Sequence, residues 1–176
     1  MTEKWLKWLS IPILLVLVVG FSGCAKKTKP TAETVTAPQA VVETEPSPDV
    51  MEAELAALLK EAQAEGALMP IYFDYDKASL KSDAKQNLDK TASWLSKKPT
   101  VTIRIEGNCD ERGTNEYNLA LGERRANVAK EYLVKLGVSA DRLDTVSLGE
   151  EKPWDPGHTE AAWAKNRRDD FMPTGK

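Results

Sequence analysis

The chain has one histidine and two cysteines among its 176 residues. That is too few for the paired Cys/His runs that hold structural zinc. No Gly-x-Ser-x-Gly and no His-Glu-x-x-His run occurs, so two common hydrolase signatures are missing. An excess of one charge is also lacking: 24 Lys+Arg stand against 27 Asp+Glu, formally −3. This leaves no electrostatic footprint for nucleic acid. The apolar run over 11–21 is shorter than the ~20 residues of a membrane-crossing helix, and Pro12 interrupts it. No internal repeat is visible. A hydrophobic content of 41% suffices for the core of one domain but hardly for two.

What is present begins with an export pattern. Lys4 and Lys7 precede the apolar run, and Ser22-Gly23-Cys24 follow it. A basic start, a short apolar segment and small residues before a cut site predict a secretory signal over 1–23. Phe21-Ser22-Gly23-Cys24 is similar to a bacterial lipobox, which would leave Cys24 as an acylated first residue. The other reading is an uncleaved anchor with Cys24 as a bystander. Acylation matters because each buried CH₂ contributes about 0.8 kcal/mol, so one chain binds reversibly and two or more hold stably. Four of the ten prolines lie from Pro30 to Pro48. The segment 24–49 is rich in Thr, Pro, Ala, Val and Glu and has no apolar period. Such composition cannot bury enough surface to offset the entropy of ordering, which predicts a disordered tether. About 25 residues at ~3.1 Å each would reach on the order of 80 Å when extended.

Beyond it the pattern turns helical. Met51, Leu55, Leu58, Leu59 and Ala62 predict an amphipathic helix or linker over 50–66, packed on the domain, frayed, or bound to a partner. A domain is expected over 60–176, with its core at 70–172. Residues 70–75 read as a strand. Ser82 or Asp83 can cap a helix carrying Ala84, Leu88, Ala92 and Leu95. Val101, Ile103 and Ile105 alternate with polar residues as a half-buried strand does. A helix is predicted over 115–136, closed by Gly137. A strand follows over 143–148, then a short helix capped by Thr159 and a last strand over 167–172. Pro173 should end that strand. Strands joined through helices imply an α/β fold in two layers, with parallel strand pairs and the main helices on one face of the sheet.

The run 107–127, GNCDERGTNEYNLALGERRAN, joins a glycine-punctuated loop to the long helix. Asn118, Leu121 and Arg125 share one helix face. Leu121 and Val128 place that face near the core, so Arg125 either snorkels outward or meets an anion. Asp110 in the loop can approach the same mouth. An acid and a guanidinium there can hold a zwitterion, the acid taking the ammonium and the Arg the carboxylate. They can equally salt-bridge each other and pin the loop. Arg124 points roughly 100° away from Arg125 on an ideal helix and reads as a surface residue.

Asn118 to Ala126 matches Asn-x-x-Leu-Ser/Gly-x-x-Arg-Ala, preceded by Asp110-Glu111-Arg112-Gly113-Thr114. Tyr72-Phe73-Asp74, Gly149 to Pro153 and Asn166-Arg167-Arg168 add further matches. Over 70–168 the chain resembles the peptidoglycan-associated lipoproteins (Pal) of the OmpA-like family. The resemblance implies a two-layer OmpA-like sandwich with a small mixed sheet. It implies no enzymatic turnover and no cofactor. The ligand would be peptidoglycan, met at the D-centre of diaminopimelate in the stem peptide. Asp110 would bind its ammonium and Arg125 its carboxylate. Phe73 and Asp74 would frame the mouth, partly through backbone groups, and Asn118 and Leu121 would support or line it. Cys24 would carry three acyl chains in outer-membrane lipid, with the domain facing the periplasm, and the absence of Asp after it favours the outer membrane. A TolB-like periplasmic protein would be a partner in a Tol-Pal-type system that supports envelope integrity and cell division.

Two rival classes stay in view: a protein-interaction module with little wall binding, and a cell-wall hydrolase. Against the hydrolase, His158 lies alone in a Pro-Gly turn, and Asp110 and Glu111 are adjacent rather than opposed across a bond. The chain departs from the family pattern at Asn108, where His is common, and at Cys109, where Thr or Ala is usual. Cys109 reads as a small packed residue rather than a reactive thiol. The ending Asp169-Asp170-Phe171-Met172-Pro173 is less apolar than that of many relatives.

Overall fold

The computed structural model describes residues 47–175. The predicted signal, Cys24 and the tether up to residue 46 lie outside them. Helix α1 spans Pro48–Ala64, β1 Ile71–Tyr72, α2 Ser82–Lys97, β2 Thr102–Asn108 and α3 Asn115–Lys135. A 3-10 turn at Ala140–Arg142 leads into β3 Leu143–Gly149, followed by α4 Glu160–Asn166 and β4 Arg168–Gly175. The sheet runs β1-β4-β2-β3. β2 and β3 are parallel, joined through α3, and the other pairs are antiparallel. The result is the expected mixed sheet with helices packed on it.

Period-2 alternation in β2 turns Ile103 and Ile105 inward, and both are fully buried. They meet Phe171 from β4, Leu88 and Leu95 from α2, and Ala126, Ala129 and Leu133 from α3 in one core. Each large side chain there contributes about 1.5–3 kcal/mol of burial. Leu58 and Ala62 of α1 join the same core, so this helix packs on the domain. α3 lies close against the sheet because glycine faces glycine: a Cβ added at Gly107 would come 2.1 Å from the Gly122 carbonyl oxygen. This contact sets the height of α3 above β2 beside the loop that follows.

Four expectations need correction. α1 starts at Pro48, two residues inside the predicted tether, since proline has the φ of a first helical residue. β1 is two residues long instead of six, because the chain turns at Asp74, whose carbonyl accepts from Lys77 N at 3.2 Å. Neither Ser82 nor Asp83 caps α2; the cap position is Lys81, which makes no side-chain cap bond. β4 continues through Pro173 to Gly175. Pro173 pairs with Ile103 at a register shift, in a stretch that the short β1 does not flank. The ladder therefore loses no donor there.

Candidate functional site

Thr114 caps α3, its hydroxyl accepting from Tyr117 N at 3.2 Å. Gly113, at φ +125°, turns the chain into the helix. The loop 109–114 thereby folds back over the first turns of α3. Asn118, fully buried, fixes it: the side-chain amide donates to Asp110 O at 3.2 Å and to Glu150 Oε2 at 2.6 Å. Cys109 Sγ donates to Asn118 O at 3.2 Å. Burial pushes the Cys109 thiol up to about 11, so it is a packed residue and not a nucleophile.

A tight cleft of about 20 Å³ opens beside this loop. Asp110, Asn118, Leu121 and Arg125 line it, together with Tyr75, Asp76, Cys109, Arg112, Tyr117 and Arg167. Asp110 and Arg125 thus share one cleft, yet they do not pair. Asp110 takes Arg112 Nη2 at 2.7 Å, Arg112 Nε at 3.2 Å, Arg112 N at 3.1 Å and Arg167 Nη1 at 3.1 Å. Burial alone would raise its carboxyl, but the hydrogen bonds from Arg112 and Arg167 outweigh it and hold the group below the ordinary carboxylate range.

Arg125 is wholly buried. Its Nε donates to Lys77 O at 2.9 Å, Nη1 to Asn108 O at 2.9 Å and to Cys109 Sγ at 3.4 Å, and Nη2 to Asp74 O at 3.2 Å. Every one of these acceptors is neutral. The Phe73 ring lies 5.0 Å from the guanidinium carbon. Burial lowers the affinity of Arg125 for its proton, though a guanidinium stays charged.

Phe73 and Asp74, expected to frame the mouth, do not line the cleft: they touch Arg125 through the Phe73 ring and the Asp74 carbonyl, and Tyr75 and Asp76 form the wall instead. The Phe73 carbonyl accepts from Arg167 Nε at 3.2 Å. The Asp74 carboxylate is exposed and pairs with Lys77 at 3.5 Å. Sequence reasoning missed Arg112 and Arg167 as partners of Asp110, although both lie inside the matched motifs. The Arg112 guanidinium is stacked between Tyr75, at 4.0 Å, and Trp163, at 4.2 Å. The Tyr117 hydroxyl bonds the Asp76 carboxylate. His158 Nδ1 lies 2.8 Å from Glu111, which also accepts from Trp163 Nε1 at 2.9 Å. His158 is thus an exposed residue in contact with Glu111, outside the cleft. Among the described residues no group of His, Cys, Asp and Glu could hold a metal ion, and no helix is long and apolar enough to cross a membrane.

Comparison with known proteins supplies the context. Peptidoglycan-associated lipoproteins of Haemophilus influenzae and Pasteurella multocida are 52% and 51% identical over 98 residues, 56% of this chain. The match spans 64% and 65% of those relatives' own length. The crystal structure of the peptidoglycan-associated lipoprotein from Burkholderia pseudomallei is 46% identical, covers 60% of this chain and 89% of that one, and superposes with a TM-score of 0.58. The C-terminal domain of Helicobacter pylori MotB, 22% identical, shares the fold over 61% of this chain and 85% of that one, at a TM-score of 0.57. The OmpA family pattern matches residues 72–167, more than half of the chain, and the chain belongs to the OmpA family.

Proposed function

We propose that this chain is a non-enzymatic, lipid-anchored envelope protein that holds the outer membrane to peptidoglycan. One observation carries the reading: among the described residues, Arg125 is a buried cation bonded only to neutral acceptors. An uncompensated buried charge is costly, and an entering carboxylate offsets that cost with charge-assisted bonds. Four of the five guanidinium N–H groups are engaged, and one on Nη2 is left for the ligand. The carboxylate and ammonium of a diaminopimelate D-centre suit the two ends of the cleft. Asp110 takes the ammonium by sharing the hold that Arg112 has on it. Asn118 and Leu121 keep the floor in place, and Phe73 and Asp74 back the guanidinium.

Charge-assisted bonds of ~1.5–3 kcal/mol each give a modest single-site affinity. Many stems on one polymer, and a domain confined near it, raise the effective affinity. Acylated Cys24 supplies the confinement, and a TolB-like partner competes for the cleft rim in a Tol-Pal-type system.

Full-length protein in detergent, sedimented with diaminopimelate-type and lysine-type sacculi, tests this. Binding should be confined to the first type and should fall in Asp110→Ala and Arg125→Ala. Equal binding to both wall types, or wild-type binding by both folded variants, sinks the assigned site. Release of soluble fragments from the sacculi would establish the hydrolase instead. Cys24→Ala should lose lipid labelling and membrane retention.

A further inference from the structure

We propose that Asp169 is an internal counter-carboxyl beneath Arg125, and that its protonation sets how strongly the cleft takes a ligand carboxylate. This rests on the carboxylate-binding reading of Arg125. Asp169 lies on β4 directly across from Gly107 of β2 and Ile71 of β1. It has the parity of Phe171, so it points into the layer between sheet and helices, and it is wholly buried. Gly107 is where α3 closes onto the sheet, with Gly122 against it. A carboxyl at this position is therefore held under the turn of α3 that carries Arg125.

Neither oxygen of Asp169 has a hydrogen-bond partner among the described residues. A buried carboxyl so placed resists ionisation. Burial pushes it well above the ordinary carboxylate range, Arg125 offsets part of that rise, and the neighbouring Asp170 adds to it. The groups coupled to Arg125 in turn are Cys109 and Asp110 from the loop, Asp169 and Arg167 from the end of the chain. Cys109 and Asp110 titrate in opposite directions away from neutrality.

Two states follow. With Asp169 neutral, Arg125 presents its full charge to the cleft. With Asp169 ionised, part of that charge is already answered, and an incoming carboxylate gains less. Binding of the carboxylate and binding of a proton by Asp169 therefore favour each other, and linkage requires the effect to be mutual.

The test is calorimetric titration of the full-length protein with the tripeptide L-Ala-D-γ-Glu-meso-diaminopimelate at a series of pH values on both sides of the Asp169 titration followed by NMR. Wild type should weaken by at least about fivefold as that carboxyl ionises, the scale of ordinary site-to-site coupling. Asp169→Asn, which keeps the shape and removes the ionisation, should hold its low-pH affinity throughout. His158→Gln should keep the wild-type slope, which separates Asp169 from the one histidine. Carbon NMR of the Asp169 carboxyl should show a titration that the Arg125 Nε–H signal follows. A wild-type slope in folded Asp169→Asn overturns the proposal and leaves the carboxylate site standing. No tripeptide binding by wild type at any pH overturns the site and the proposal with it.

Discussion

The two ends of the cleft are opposites in how their charge is met. Asp110, buried, accepts from two guanidiniums and a backbone N–H. Arg125, more deeply buried, reaches only three carbonyls and a thiol among the described residues. Position in the chain explains the contrast. A loop acid can be served by its own loop, and Arg112 lies two residues on. A guanidinium in the body of α3 meets whatever backbone crosses the helix, here the turns at Asp74–Lys77 and Asn108–Cys109. Carbonyl dipoles satisfy its geometry but not its charge. The cleft is thus completed at its acidic end and open to an anion at its basic end.

The largest break in this contrast is Arg125→Ala. It takes their guanidinium donor from the carbonyls of Lys77 and Asn108, at about 1–3 kcal/mol for each group left dry, while Asp74 O keeps its bond from Lys77 N. Urea unfolding should show a loss of roughly 3 kcal/mol or more on this account. Arg125→Lys keeps the charge but cannot span three acceptors with one ammonium. It should lose less stability while still binding wall material poorly. A loss under about 1 kcal/mol in Arg125→Ala would mean that water replaces the guanidinium freely.

Much of this arrangement was legible in the sequence. The alternation at Val101–Ile105, the Thr159 cap and the Gly137 stop each have a local cause, and local causes survive into the fold. The placement of Asp110 and Arg125 at one mouth also followed from a loop leading into a helix. Their lack of mutual pairing did not, because Arg167 comes to Asp110 from 57 residues away. Only the β1-β4 and β2-β4 pairings, which are long-range, bring it there. Asp169 was half legible. It falls inside the strand expected over 167–172, but the pairing that sets it opposite Gly107 and Ile71 is long-range and has no local cause.

Asp110→Asn sharpens the acidic end. Removing the charge weakens bonds from Arg112 and Arg167 and should cost on the order of 1–3 kcal/mol at pH 7. The sign of the pH effect is fixed by the lowered carboxyl. A group whose folded value is depressed adds stability above its unfolded value of 3.8, and that stability is lost as pH falls through the folded value. Wild type and Asp110→Asn should therefore differ most at neutral pH and converge below pH ~4. A constant gap down to strong acid would show that shape, not charge, holds the loop.

The smallest expected effect lies at the join between the two ends. Thr114 caps α3 between the loop bearing Asp110 and the helix bearing Arg125. Thr114→Ala leaves Tyr117 N to water at a site that is already exposed, so the cost should be about 1 kcal/mol in thermal or urea unfolding. Asn118 still ties the loop to the helix through Asp110 O and Glu150. Binding to diaminopimelate-type sacculi should then change little, and the pH dependence of stability should match wild type. A binding loss in Thr114→Ala as deep as in Asp110→Asn would show that the cap, and not the buried Asn118, sets where the acid stands.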